Sequence, residues 1–355
     1  MIVIVGGGII GISTAYRIAE LQPNAEITII SKDLPESGLL NPFYTSSKAG
    51  AHFRPFPSKN EYELRDSKLT HETYKQFKKL SKLHPETSIK FMKCIDYIEY
   101  DNKLYESLSE GYTEIVEDFQ IIPKCELPNN VKFGASYNSF CVNPHVYMEF
   151  MLQSLKMRQR INIIQREIYS LREVSMMYPN STLFNCTGNG LLYDGSYDLK
   201  CYSIRGQTLL IRPPLENYEL CNSRSITYQL SNGEWSFVIP RPLDGGIILG
   251  GTKNENLTND KPIEDETKSL INNAISRFPE LFNDKGELDI LRINVGFRPA
   301  RKTGVRIERE VIDRSTTIIH VYGFGGSGIE MSWGAAVKAV ELLEMSSSNS
   351  NKSKF

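Results

Sequence analysis

The first thirty residues constrain the fold more than any other stretch. "MIVIVGGGIIGISTAYRIAE" opens on an apolar run, breaks at three glycines, and continues with apolar residues at helical spacing to Leu21. A second apolar run, "AEITIISKD", follows. Strand, glycine turn, helix and strand make a βαβ unit, and strands apolar throughout belong to a parallel sheet covered on both faces. Gly6, Gly8 and Gly11 form G-x-G-x-x-G at the strand-to-helix turn. The first glycine permits the tight turn, the second lets a pyrophosphate approach the backbone, and the third lets helix and strand touch. Ile9 and Ile10 then open a helix whose free N–H groups and partial positive charge favour that pyrophosphate. The motif serves NAD and FAD alike and does not choose between them. An acid ending the second strand is the usual ribose partner. Here the end reads Ser31-Lys32-Asp33, which nominates Asp33 for the ribose and Lys32 for the adenosine side.

Beyond this unit, a Gly/Pro/Ser-rich span over 34–57 reads as an ordered binding loop, and 61–83 as a Lys-rich amphipathic helix. "STLFNCTGNG" is a further apolar strand ending in a glycine turn. "CYSIRGQTLLI" and "WSFVIPRPLDGGIILGGTK" read as antiparallel strands, the latter a hairpin through Pro-Leu-Asp-Gly-Gly. "TTIIHVYGFGGSG" repeats the strand-and-glycine pattern, "MSWGAAVKAVELLEM" is a helix, and "SSSNSNKSKF" is a polar tail. Parallel signatures at both chain ends with antiparallel strands between them predict an α/β chain of two interleaved domains. A Rossmann-type dinucleotide domain takes residues 1–57, 144–195 and 289–345, and a mainly antiparallel β substrate domain takes 58–143 and 196–288. Residues 346–355 form a flexible tail.

The 355 residues suffice for one large or two moderate domains. Basic and acidic residues number 41 and 42, so charge provides no reason to bind nucleic acid or a membrane surface. No apolar run approaches the ~18 residues of a membrane helix, and the glycine-broken start is not expected to be a signal peptide. The six cysteines include no C-x-x-C pair and the five histidines are scattered, which excludes a sequence-encoded zinc motif. Free thiols in a reducing or peroxisomal compartment are expected.

The segment "NVGFRPARKTGVRIERE" crowds cations around Pro299 and Gly304. With "SKAGAHFRPF", "NCTG", "RGQ" and "IIHVYGFGGSGIEMSWGAA", and with the N-terminal motif, it resembles the D-amino-acid oxidase family, including its D-aspartate oxidase branch. "KDLPE" and "VGFRPAR" are most similar to the yeast members. The matches span nearly the whole chain in family order and are loosest over 61–143. The resemblance implies non-covalent FAD, a D-amino acid substrate and oxygen. It assigns Arg298 to the substrate α-carboxylate, which a planar guanidinium grips through two parallel hydrogen bonds. It places Gly325, Gly328 and Ile329 beside the isoalloxazine, and makes the Gly326 carbonyl an acceptor for the substrate amine. Thr45, Ser46, Gly50 and Ala51 fall on the loop lining pyrophosphate and flavin, and Ile168 on an adenosine contact. Thr187 and Gly188 border the cofactor, and Phe56 falls on a pocket-lining aromatic. Arg301, Lys302, Arg306 and Arg309 read as solvated or paired charges.

Three positions depart from the family. Phe237 stands where relatives carry a Tyr hydroxyl on the carboxylate, and Tyr228 is nominated as its substitute. Lys253 stands where D-aspartate oxidases carry an arginine, which suggests a preference for acidic substrates, D-aspartate or D-glutamate; a lysine snorkelling to solvent is the equal alternative. Glu330 stands near the flavin pyrimidine edge, where a carboxylate must be protonated, turned away or paired to tolerate an anionic reduced flavin. The ending Ser353-Lys354-Phe355 is similar to a peroxisomal import signal, with an import receptor as partner and the peroxisome matrix as location. A homodimer is left open. An oxidase of glycine, sarcosine or another small amine and a weakly active flavin-binding paralogue are the competing functions.

Overall fold

All four residues of β1 (Ile2–Val5) are buried, because a parallel strand flanks β1 on each side and helices cover both faces. The computed structural model describes residues 1–255 and 257–352. Thirteen further strands follow: β2 (Ile27–Ser31), β3 (Lys90–Ile98), β4 (Glu117–Ile121), β5 (Phe133–Cys141), β6 (Ile161–Gln165), β7 (Thr182–Asn185) and β8 (Cys201–Arg212); then β9 (Arg224–Gln229), β10 (Trp235–Pro240), β11 (Ile247–Gly250), β12 (Asp289–Arg301), β13 (Arg306–Val311) and β14 (Thr317–Tyr322). They form two sheets. The first, ordered β13-β14-β7-β1-β2-β6, is parallel except for its β13 edge. The second, ordered β12-β8-β11-β10-β9-β3-β5-β4, is antiparallel except where β3 meets β9. This is the expected α/β architecture: a Rossmann-type sheet interleaved with a mainly antiparallel one.

Two assignments at the domain boundary change. Residues 289–301, expected in the dinucleotide domain, form β12, which pairs with β8 from Asp289↔Arg212 to Arg301↔Cys201 and edges the antiparallel sheet. The helix Glu61–Leu83, expected in the substrate domain, packs on the helix Ser332–Lys352 of the dinucleotide side. A Cβ on Gly334 would overlap the Leu69 carbonyl, and the Gly334 N–H donates to Thr73 Oγ1 at 3.1 Å, so only glycine lets these helices cross so closely. Both choices depend on long-range partners that local patterning does not carry.

The helix Ser332–Lys352 continues into the segment expected as a tail; Ser353, Lys354 and Phe355 lie outside the described residues. The hairpin β10–β11 turns where Leu243 and Asp244 adopt positive φ (59° and 55°).

Candidate active site

A single cleft runs from the first glycine turn to the inner face of the antiparallel sheet, and the two sheets supply its opposite walls. At one end, Gly6 sits at φ 119°, and a Cβ on Gly11 would overlap the Gly6 carbonyl. The helix Ile9–Leu21 starts at Gly8 with no side-chain cap, so its first-turn N–H groups face the cleft beside Ile9 and Ile10. Ser46 Oγ accepts from Ile9 N–H at 3.1 Å, and Ser31 Oγ accepts from Gly7 N–H at 2.8 Å. The first-turn N–H groups not engaged in this way, set in a glycine cradle, are what a pyrophosphate requires. Lys32, Asp33 and Ile168 line the adjoining end, where Lys32 pairs with Glu167 at 2.7 Å and Asp33 accepts from Asn41 at 2.7 Å.

Thr45, Gly50 and Ala51 line the middle of the cleft, on a loop held from below by two buried cations. Lys48 donates to the carbonyls of Gly38, Leu39, Asn41 and Tyr44, and burial pulls its pKa down to about 8. Arg241 donates to the carbonyls of Ser47 (3.1 Å), Ala49 (2.5 Å) and Gly50 (2.9 Å). Burial, with Arg292 nearby, lowers it to about 9. Thr187, Gly188, Gly325, Gly328 and Ile329 complete this wall. The two late glycine turns are stitched together, Gly323 N–H to the Gly188 carbonyl (3.2 Å) and Gly325 N–H to the Pro299 carbonyl (2.8 Å).

Arg298 lies where this wall meets the antiparallel sheet. Its guanidinium rests over Gly206, where a Cβ would approach it to 2.5 Å, and the stem passes 3.7 Å from a Cβ position on Gly326. Nη1 donates to the Thr252 carbonyl at 3.2 Å, and no acid pairs with this cation among the described residues. Burial alone lowers its pKa. A half-buried guanidinium that lines a cleft, with its donors largely unspent, is an anion site. Beyond it the antiparallel sheet presents a transverse row, Asn294–Thr208–Gly250–Phe237–Thr227–Asp96, one residue per strand in register, of which Asn294, Thr208, Phe237 and Thr227 line the cleft. A Cβ on Gly250 would overlap the Phe237 ring, so the ring lies flat across a glycine.

Glu330 lines the cleft and is 9% exposed. Burial pushes its carboxyl up to about 7, against smaller opposing effects from Ser327 and Arg54. Burial thus favours the first of the three arrangements, a carboxyl that carries a proton, over the pairing with Arg54 that opposes it.

The family model described as FAD dependent oxidoreductase matches residues 1–342. This chain belongs to that family. It is 33% identical to a D-aspartate oxidase of Talaromyces thermophilus, over 96% of this chain and 94% of the relative. It is 31% identical to a D-amino-acid oxidase of Schizosaccharomyces pombe, over 96% and 95%. Among solved structures, L-proline dehydrogenase from P. horikoshii matches at TM-score 0.71 and 17% identity, covering 96% of this chain and 92% of that one. Glycine oxidase from Bacillus cereus matches at 0.69 and 14%, covering 97% and 95%. At such identities these two show the fold alone.

For this FAD-dependent oxidoreductase the cofactor fits the residues present: a glycine cradle at a helix N-terminus at one end, and glycine-walled space beside Arg298 at the other. Gly6, Gly8, Ser46 and Gly326 all line this one cleft. Three nominated residues do not reach the cleft. Phe56 packs with Ile98, Tyr105 and Tyr112 in an aromatic cluster behind it. Lys253 is exposed and absent from the lining, so the family's side-chain cation is not supplied from there. Tyr228 points to the other face of the sheet, against Phe278, because strand residues alternate and its neighbour Thr227 takes the inner position. The paired-charge reading holds for Arg301, which meets Asp198 at 2.9 Å, and for Arg306, which meets Glu308 and Glu310.

Trp235, Thr227, Lys48 and Arg241 went unnoticed in the sequence. The first two were discoverable, since Trp235, Phe237 and Ile239 share one face by period two and Thr227 opposes Phe237. The buried cations had no local signature.

Proposed function

We propose that this protein oxidises D-amino acids with FAD and oxygen, releasing an imino acid that hydrolyses to an oxo acid and ammonia. The observation that carries the reading is Arg298, an acid-free guanidinium beside the second glycine turn. The names of the most similar relatives given above support it. When bound, FAD supplies the hydride acceptor at N5 and passes the electrons to oxygen, giving hydrogen peroxide.

The chain's own contribution is to bind, orient and dry the substrate. Arg298 takes the α-carboxylate bidentately, and Gly206 leaves room for the guanidinium to lie flat. The Gly326 carbonyl accepts from the amine, fixing two of the four groups on Cα. Phe237 and Ile239 are apolar floor and exclude water without donating. No side-chain base is required, because the substrate reaches the cleft as, or becomes, the free amine before hydride leaves. Glu330, near its midpoint at neutrality, holds or releases a proton at the edge of this site.

The test is anaerobic addition of D- and L-amino acids to the yellow purified protein. Bleaching by D isomers alone is expected; bleaching by neither, or by glycine and L isomers equally, overturns the reading. Arg298→Ala is expected to lower kcat/KM by about two to three orders of magnitude, mostly through KM. Import into peroxisomes through Ser353-Lys354-Phe355 belongs to the same proposal, supported by peroxide chemistry. It is checked by whether a fluorescent fusion loses peroxisomal localisation without those residues.

A further inference from the structure

The far end of the cleft floor holds a second group of polar atoms that the reaction at Cα does not use. Thr227 lines the cleft, is 2% exposed, and its Oγ1 has no hydrogen-bond partner. A buried hydroxyl left unpaired costs about 1–3 kcal/mol unless a ligand satisfies it. Its neighbour in register on β3 is Asp96, and above Asp96 lies Arg54, 7% exposed. Arg54 Nη1 reaches Asp96 at only 4.0 Å and the Tyr105 hydroxyl at 3.4 Å. Among the described residues, its Nε and Nη2 donate to nothing. The guanidinium face is covered by the indole of Trp235, 4.1 Å away, and Trp235 lines the cleft and is 38% exposed. Burial raises Asp96 to about 6 in spite of Arg54, so this ion pair is a loose one.

A cation so placed, one indole away from a substrate cleft and beside an orphan hydroxyl, is under-satisfied at both of its free edges. We propose that Arg54 and Thr227 form the subsite for a second carboxylate, carried on the substrate's side chain, with Trp235 turning aside to admit it. The proposal rests on the oxidase reading above and narrows its substrate to acidic D-amino acids.

Geometry sets the length. The Arg298 guanidinium sits over Gly206 on β8, and Thr227 is on β9, with β11 and β10 between. Three strand spacings, with the two-residue offset along β8 between Gly206 and Thr208, which is the residue in register with Thr227, make about 16 Å. A four- or five-carbon dicarboxylic amino acid, hydrogen-bonded at both ends, spans roughly 11–13 Å. Side chains leaning inward from both ends close the difference. A short neutral substrate such as D-alanine leaves Thr227 and Arg54 unreached. Glu330 faces the same space, and its raised pKa lets it hold a proton beside an incoming carboxylate. Lys253, exposed and outside the lining, is not needed for this role.

The competing assignment is a structural clamp, with Arg54 tying its loop to β3. D-aspartate and D-asparagine separate the two, being equal in shape and different in charge. Thr227→Val is expected to lower the D-Asp/D-Asn ratio of kcat/KM about 10-fold. The double change Arg54→Met with Asp96→Asn, which leaves no unpaired buried charge, is expected to lower it about 100-fold. A binding titration independent of turnover uses the perturbed flavin absorbance of the FAD-loaded protein. Succinate is expected to bind at least about 10-fold more tightly than butyrate, and the double variant to erase that difference. Ratios that stay constant in both variants, or succinate and butyrate binding alike in the unaltered protein, overturn the subsite. Absence of bleaching by any D-amino acid, with succinate still preferred, sinks the oxidase reading and leaves the subsite standing.

Discussion

Gly206 and Glu330 show how much of this site depends on single side chains. Gly206 exists to let Arg298 lie across β8, so Gly206→Ala places a methyl at 2.5 Å from the guanidinium and must move it. The expected outcome is a rise in KM of about 10- to 100-fold with unchanged FAD affinity, read from steady-state kinetics and a flavin titration. Glu330 makes a prediction with a definite sign. Its carboxyl keeps its proton to about pH 7 in the folded chain, against an ordinary value of 4.5. The folded chain therefore binds more protons than the unfolded one across that window, and stability falls as pH rises through it. Glu330→Gln removes this slope. Relative to the unaltered protein, its stability is expected to improve by about 3 kcal/mol between pH 4.5 and 7.5. Urea midpoints at the two pH values check it, and Asp96, which titrates in both proteins, cancels in the difference.

Elements carry the next level of constraint, and the loop over 45–51 is the clearest case. It lacks regular structure beyond the short 3-10 turn Thr45–Lys48, so its shape comes from Arg241 donating into its carbonyls and from its own Lys48 donating back to the carbonyls of Asn41 and Tyr44. Arg241→Met leaves three buried carbonyls unpaired. It is expected to weaken FAD binding by at least about 10-fold, measured by recovery of flavin fluorescence. Such pinning could not be read from the sequence, because the arginine lies some 190 positions from the loop it holds. The glycine turns could, since a turn, its strand and its helix are contiguous and each glycine answers a local demand. Alternation also made the β10 face legible in principle; reading Phe237 alone, without Trp235 and the opposed Thr227, led to Tyr228 on the wrong face. Phe56 failed for a related reason: the residues after His52 leave the cleft wall, and Phe56 packs against the aromatic cluster of Tyr105 and Tyr112, a course set by tertiary packing.

At the scale of the whole molecule, the cleft is the seam between two sheets that also share one hydrophobic core, in which Ile4 and Ile29 are grouped with Cys94, Tyr137 and Phe140. The parallel sheet supplies the first glycine turn and the antiparallel sheet supplies Arg298 and Phe237, so a ligand spanning the cleft touches both. That division was visible from the chain ends inward, yet the side of the seam on which β12 falls was not, because its partner β8 lies some 90 residues earlier. Binding that bridges the seam stabilises the folded state by mass action, about 2.7 kcal/mol when free FAD stands at 100 times its Kd. The melting temperature is accordingly expected to climb by a few degrees as FAD is added, and both sheets to melt in one transition in its presence. Arg298→Ala should keep the full FAD-dependent shift, since that guanidinium serves the substrate, and should lose the additional shift that succinate gives the unaltered protein. Equal succinate shifts in the two proteins would place the carboxylate elsewhere. A melting temperature indifferent to FAD would mean that the seam is not where the cofactor lies.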